Sequence, residues 1–336
     1  MIKLSVLTTI FNGEDFIDEM FESIISQTFK DFEWIIIDDG STDSTWEKLK
    51  KYNDKRIKLF RLDSNRGVGF ASHYALSLAR GEYIAKVDVD DLSMPTRFEK
   101  QISFLNDNPT IDLIDTFVQY FPDNKSVSES ARYKFYEEVH EKYVNQYLSV
   151  DEISEELYWN CIIINSAMMA RKDSVLSVGY SCDLKQGEDY LLYYEMNKAG
   201  MKFYKINEIL VKVRISGVST TSSNWDKIDD IKLNIKSVER NSFLINDKRP
   251  LIIWGAGKNG KDTLNYIHQI YGIKPSIFFD SDKTKAGKSI EGIAIEQPRN
   301  FKGYKICVAS SYGQNEIIKT LKEQNYKPLI DYYVVL

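Results

Sequence analysis

Two groups of aspartates each close an apolar run. Asp38 and Asp39 follow Trp34-Ile35-Ile36-Ile37, and Asp88, Asp90 and Asp91 follow Tyr83-Ile84-Ala85. An ionised carboxylate at the end of a buried strand needs water, hydrogen bonds or a cation to offset its desolvation. Asp38-Asp39-Gly40-Ser41 fits either a solvated turn, with Ser41 or Asp43 capping the next helix, or the polar end of a ligand pocket. In the second group, strand alternation sets Asp88 and Asp90 on one side of the chain with Asp91 at the turn, close enough to repel one another. Hard oxygen ligands suit Mg²⁺ or Mn²⁺, which takes one or two carboxylates plus the phosphate oxygens of a substrate. A site for a metal-bound diphosphate is therefore expected there, the plain alternative being an acidic turn that caps the helix after Pro95. A third acidic feature, Gly187-Glu188-Asp189, opens a helix. Its carboxylates are either simple caps favoured by the helix dipole or a general base within reach of a substrate hydroxyl.

A glycine-rich loop provides a different chemistry. Gly255, Gly257 and Gly260 follow the strand-like Leu251-Ile252-Ile253-Trp254 and open a helix, and Asp280 closes the next strand-like run. Such glycines permit a tight turn and close approach to a phosphate at the helix N-terminus, and the acid can bond a ribose hydroxyl. The same glycines also suit a turn that packs tightly and binds nothing. A dehydrogenase or epimerase fits poorly, because the Tyr194-x-x-x-Lys198 pair lies upstream of the loop and no substrate domain follows it.

The elements that must position these groups alternate strand and helix. Strands are expected over 2–10, 33–38, 57–62, 83–87, 160–170 and 203–215, with helices over 14–27, 44–52, 69–80 and 190–198. That order implies βα units on a mostly parallel sheet, with ligands at the strand C-terminal ends. Residues 122–160 are polar and aromatic, with an amphipathic helix somewhere in 136–157. A Ser/Thr-rich loop at 216–224 leads into a charged helical connector over 225–246. The second block repeats the pattern, with strands at 251–254, 276–279 and 305–309 and helices at 260–271 and 314–324.

Composition narrows the function classes. The chain carries 44 Lys+Arg against 49 Asp+Glu, a net charge of −5, with the signs well mixed, so it offers no electrostatic footprint for nucleic acid. No apolar run is long enough to span a bilayer, and a cytoplasmic location is expected. Cys161, Cys182 and Cys307 are too scattered for a disulfide framework, and His73, His140 and His268 lack a partner at metal-ligand spacing.

In combination, the segments LSVLTTIFNGEDFI, DFEWIIIDDGSTDST, DSNRGVGFASHYALSLARGEYIAKVDVDDLSMPTRFEKQ and GYSCDLKQGEDYLLYYEMNKAG resemble, in order, the family 2 glycosyltransferases of the GT-A fold. The resemblance spans residues 1–220. It implies that Thr9, Phe11 and Asp39 line the base and ribose pocket of a nucleoside-diphosphate sugar, UDP-linked. By the same resemblance Asp90 holds the metal, Asp88 serves the metal and the ribose or sugar side, and Asp91 completes the motif. Arg66 and Arg97 would contact the diphosphate or donor sugar. Asp189 would be the base, with Glu188 orienting acceptor hydroxyls, in a single inverting displacement. Phe11 stands where the family frequently has Tyr, and His73 where Asn is common. Arg214-Ile215-Ser216 replaces an Arg-x-His pattern, so no histidine ligand is offered there.

The expected architecture is α/β: a GT-A domain over 1–222, a helical connector over 223–248, and a small Rossmann-like domain over 249–336. That last block resembles nucleotide-binding-type domains attached to sugar-modifying enzymes, with NAD or a nucleotide as the implied ligand class. The expected activity is metal-dependent transfer to a glycan acceptor in surface polysaccharide synthesis. The family implies an acceptor that can be lipid-linked, met peripherally at the inner face of the cell membrane. The alternative is a nucleotide- or nucleotide-sugar-binding regulatory module acting through the C-terminal domain.

Overall fold

A computed structural model describes residues 2–184, 186–217, 235–310 and 313–335. The chain divides into two compact units, Met1–Lys227 and Ile228–Leu336.

The first unit is built on an eight-stranded sheet of order β3-β2-β1-β4-β7-β6-β8-β5. Its strands are β1 (Leu4–Ile10), β2 (Phe32–Asp38), β3 (Ile57–Arg61), β4 (Tyr83–Lys86), β5 (Leu92–Ser93), β6 (Leu113–Pro122), β7 (Met169–Arg171) and β8 (Phe203–Ile215). β1, β2, β3 and β4 run parallel, as do β6 and β8, whereas β7 is antiparallel to β4 and β6, and β5 to β8. β2 and β4 are buried throughout, which is why they appear as unbroken apolar runs rather than alternating ones.

Helices α1 (Ile17–Ile25), α2 (Thr45–Leu49), α3 (Val68–Leu78), α4 (Arg97–Asp107), α5 (Val150–Leu157), α6 (Lys172–Val178) and α7 (Glu188–Lys198) flank this sheet. One core, with Val6, Trp34, Ile36, Ala85 and Phe98, lies on one face; a second, with Leu7, Ile35, Ile84, Leu192 and Tyr193, lies on the other. The connections β1-α1-β2-α2-β3-α3-β4 deliver the ends of β1, β2 and β4 to the same edge.

One expectation fails here. Residues 160–170 form a strand only at Met169–Arg171, and Asn165–Ala167 is a 3₁₀ turn. Ile162 and Ile163 are buried by packing rather than by sheet pairing. The amphipathic helix expected somewhere in 136–157 is α5, opened by a Ser149–Glu152 capping box and burying Ile153 and Leu157, and it is preceded by short helical turns between Lys125 and Val144. Residues 218–224 of the Ser/Thr-rich loop and 225–234 of the connector lie outside the described residues; the rest of the connector is helical at Ser237–Asn241 and Ser242–Asn246. Among the described residues no helix is long and apolar enough to cross a membrane.

The second unit has a six-stranded sheet of order β11-β12-β10-β9-β13-β14. Its strands are β9 (Leu251–Trp254), β10 (Ile277–Phe279), β11 (Ser289–Ile290), β12 (Ile293–Glu296), β13 (Lys305–Val308) and β14 (Tyr332–Val334). All adjacent pairs are parallel except the β11–β12 hairpin. Helix α8 (Lys258–Tyr271) joins β9 to β10, and α9 (Gln314–Glu323) lies between β13 and β14.

Candidate active site

The end of β2 builds the first wall. Asp38 is fully buried; its Oδ1 accepts the amide of Ser41 at 2.9 Å and its Oδ2 pairs with Arg61 at 3.1 Å, so this carboxylate braces the turn. Asp39 accepts the amides of Arg66 at 2.7 Å and Gly67 at 2.8 Å, one on each oxygen. Burial nevertheless holds its carboxyl above the ordinary range. Gly40 sits at φ +72°, and a Cβ there would come within 2.5 Å of the Ser64 backbone, so glycine lets the β2 turn press against the 64–67 loop.

The β1 turn is laced to the same wall. Asn12 accepts the Thr42 amide at 2.8 Å, and Ser41 and Thr45 accept the amides of Asn12 and Gly13, each at 2.9 Å. Thr9 is half-buried at the end of β1, whereas Phe11 is 46% exposed and free to offer its ring to a planar base. Arg66 is exposed, with its guanidinium 4.0 Å above the Phe70 ring.

Beyond β4 the chain turns at Asp88–Asp91, where the Asp91 amide bonds the Asp88 carbonyl at 3.3 Å. Asp88 and Asp90 remain half-buried; Asp91 is buried. Desolvation first, then the charge of Asp88, pushes Asp90 up to about 6. Asp91 is driven well above the carboxylate range by burial and by both neighbouring acids, although it accepts the Arg214 amide at 2.8 Å. Arg214 also donates through Nε to the Asp90 carbonyl at 3.0 Å, fastening the turn to β8.

The third acid group begins α7. Gly69 at the start of α3 has the Ser181 carbonyl 2.2 Å from where a Cβ would lie, so its lack of a side chain admits the 181–184 segment that leads to Glu188 and Asp189. Glu188 is 6% exposed and is raised to about 8 by desolvation and by Asp189. Asp189 is half-buried, its Oδ1 accepting the Tyr190 amide at 2.7 Å, and burial raises it too. The charges of Asp88 and of the fully buried Lys86 act on both residues, so the β4 end and the α7 start share one electrostatic environment. Tyr180 lies in the field of Asp88, Glu188 and Asp189, and its buried hydroxyl has no hydrogen-bond partner among the described residues.

This donor set fits a divalent cation in one respect: Asp88 and Asp90 are hard, mutually repelling carboxylates that a cation would relieve. Among the described residues no three His, Cys, Asp or Glu side chains form a ready cage. Such an ion would therefore draw its remaining ligands from substrate phosphate and water.

Arg97 corrects an expectation. It is fully buried, donating to Gln101 at 3.1 Å, Ser93 at 2.9 Å, the Lys86 carbonyl at 2.9 Å and the Met168 carbonyl at 3.1 Å. It braces the backbone beneath the site and is out of reach of a diphosphate. Residues absent from the sequence reading also enter the site. The Asn165 amide nitrogen lies 3.4 and 3.5 Å from the two oxygens of Asp88, the Ser166 side chain bonds Asp91, and Tyr193 donates to Asn165 Oδ1 at 3.0 Å. None carries a local signal, because each matters only through a partner distant in sequence.

In the second unit a Cβ on Gly260 would lie 1.9 Å from the Gly255 carbonyl, and one on Gly255 2.5 Å from the Ala309 carbonyl, whereas Gly257 has nothing within 4 Å. Asp280 accepts the Ala256 amide and the Lys285 ammonium, each at 2.8 Å, and the Asp282 amide at 2.9 Å. Burial pushes its carboxyl up, but these donors prevail and hold it below the ordinary range.

Residues 5–178 match the family model of glycosyl transferase family 2. A glycosyltransferase of Methanocaldococcus jannaschii is 31% identical over 216 residues, 62% of this chain and 69% of that protein. The putative teichuronic acid biosynthesis glycosyltransferase TuaG of Bacillus subtilis is 24% identical over 243 residues, 72% of this chain and 90% of its own length. Among solved structures, S. aureus TarS 1–349 in complex with UDP-GlcNAc superposes with a TM-score of 0.54 at 19% identity, covering 71% of this chain and 67% of that one. A longer TarS structure gives 0.51, and the chain spans 40% of its length.

Proposed function

The chain belongs to glycosyl transferase family 2 and is a glycosyltransferase with the GT-A fold, and from that premise we propose that it is metal-dependent, inverting, and uses a UDP-linked sugar. Its product would extend a surface polysaccharide. That reading draws on TuaG and on the O-antigen biosynthesis glycosyltransferase WbnJ of Escherichia coli, 27% identical over 225 residues, and on the UDP-GlcNAc bound to TarS. A lipid-linked acceptor met at a membrane surface belongs to the same proposal.

The observation that carries it is the shared electrostatic environment of two acid groups, Asp88–Asp91 at the end of β4 and Glu188–Asp189 at the start of α7. Thr9, Phe11 and Asp39 would take the nucleoside, with the exposed Arg66 beside them on the diphosphate side. A divalent cation held by Asp90 and Asp88 would supply neutralisation of the departing diphosphate. Asp189, the more accessible of its pair, would take the proton from the acceptor hydroxyl while that oxygen bonds the anomeric carbon. The bond from that carbon to the diphosphate oxygen breaks, the nucleoside diphosphate leaves with the electron pair, and the anomeric centre inverts. The buried Glu188 would orient the acceptor, and the unpartnered Tyr180 hydroxyl offers a polar contact beside it.

A panel of nucleotide sugars screened with Mn²⁺ and with Mg²⁺ identifies the donor. Asp90→Ala and Asp189→Ala should each abolish transfer in a folded protein, and normal turnover by either variant would sink the assigned role. For the second unit we propose a Rossmann-like nucleotide site at Gly255, Gly257, Gly260 and Asp280, favoured by the open space at Gly257. Calorimetry of the full chain and of Gly257→Ala against NAD(H) and nucleotide sugars tests it.

A further inference from the structure

The segment Ile162–Met168 is neither strand nor free loop, and its backbone is held from several sides. Lys205, fully buried, donates to the Ile162 carbonyl at 3.0 Å and pairs with buried Asp115, whose Oδ2 accepts the Ile164 amide at 3.1 Å. Gln101 donates to the Ala167 carbonyl at 2.9 Å, and Arg97 to that of Met168 at 3.1 Å. A backbone fixed in this way carries two side chains toward the acids after β4, Ser166 to Asp91 and Asn165 to Asp88.

Asn165 is also joined to the opposite side of the site. Its Oδ1 accepts from Tyr193, which is fully buried and lies one helical turn beyond Asp189 on the same face of α7. Two further side-chain anchors of α7 run to α5: Asn197 donates to the Ser154 carbonyl, and Tyr190 to the Leu157 carbonyl. Tyr193–Asn165–Asp88 is thus a hydrogen-bonded path from the helix bearing the base to the strand end bearing the donor-site acid. The amide-to-Asp88 distances of 3.4 and 3.5 Å are long, as contacts at such sites often are before substrate draws them in.

We propose that Asn165 is a positioning residue for sugar transfer, the link that fixes the Asp88 side of the donor site relative to the helix carrying Asp189. The inference rests on the transfer reading above. Both ends of the link face different substrates, so breaking it should spoil their mutual alignment more than the binding of either one. Misplacement by a fraction of an ångström to an ångström lowers turnover by roughly tenfold to a hundredfold.

The test uses the full chain with Asn165→Ala, Tyr193→Phe, the double variant and the isosteric Asn165→Asp. Measurements are transfer kcat and donor KM, the ratio of donor hydrolysis to transfer, UDP affinity by calorimetry, and the thermal midpoint. For Asn165→Ala the expected result is a transfer kcat down roughly tenfold or more, UDP affinity within about twofold, and a raised hydrolysis-to-transfer ratio. The double variant should be no worse than Asn165→Ala, because both changes cut one path. Asn165→Asp, which keeps the shape but faces Asp88 with a like charge, should fold normally and transfer poorly. Transfer by Asn165→Ala within twofold of wild type, or effects of the two single changes that multiply, would overturn the assignment. A wild-type chain that releases no nucleotide from any sugar nucleotide would instead remove the transfer reading, so the two failures are told apart.

Discussion

Lys205→Met isolates a buried carboxylate, and its cost can be worked from the surroundings. Asp115 and Lys205 are both essentially without solvent contact, and Asp115 Oδ1 has no hydrogen-bond partner among the described residues. Burial already raises the Asp115 carboxyl even with the ammonium beside it. Removing one partner of such a pair typically costs about 3–5 kcal/mol. The carboxylate can escape by binding a proton, which for an ordinary Asp costs about 4 kcal/mol at pH 7 and so caps the penalty. With about 2–4 °C lost per kcal/mol in a unit of this size, the unfolding midpoint of the first unit should drop by about 6–16 °C. The sign with pH follows from the raised folded value. The variant keeps a proton on Asp115 when folded and releases it on unfolding above pH ~4, so its stability falls as pH rises, by up to about 1.4 kcal/mol per unit. Calorimetric scans of both proteins from pH 5 to pH 8 measure this directly. A deficit below about 3 °C at pH 7, or one that does not shrink toward pH 5, would refute the claim that Asp115 depends on this ammonium.

The acid pair at the start of α7 carries its own pH signature. Because Glu188 is raised to about 8 when folded, wild-type stability should decline between pH ~4.5 and 8, and Glu188→Gln should flatten that slope in melts across the range. In the second unit Gly260 and Gly257 should separate by function. Gly260→Ala, whose Cβ would meet the Gly255 carbonyl at 1.9 Å, should lower the melting transition of that unit by several degrees. Gly257→Ala should leave that transition within a degree or two while lowering any nucleotide affinity measured for the wild type.

What could be read from the residues follows from how local the signal is. β2 and β4 are legible because each is a short run buried on both faces, and the acids beyond them are legible because charge at such a place has few uses. β6 escaped because Asp115 and Thr116 interrupt its apolar pattern, and the partner that lets Asp115 be buried is Lys205, 90 positions away. Asn160-Cys161-Ile162-Ile163-Ile164 has the composition of a strand, yet Lys205 of β8 donates to its Ile162 carbonyl, Asp115 of β6 accepts its Ile164 amide, and buried packing holds the rest. The role of Arg97 is not legible in sequence, because a guanidinium near acids suits a phosphate and a buried brace equally well; only its four carbonyl and side-chain acceptors decide. Asn165 and Tyr193 acquire meaning only when α7 and the 162–168 segment meet.

The bond between the Arg214 amide and Asp91 spans 123 residues of chain. At the usual pace of synthesis, about 5–20 residues per second, roughly 6–25 s separate the emergence of the acid turn from that of the strand that fastens it. Throughout that interval the nascent first unit can pair β1, β2, β3 and β4, but β5 has no β8 to lie against. The wall at the ends of β1 and β2, which we propose takes the nucleoside, can therefore form early, while the acid turn waits for the last strand of its unit. The proposed site would be completed late in biogenesis, and a ribosome-bound fragment ending before β8 should fold that wall without the fastened acid turn.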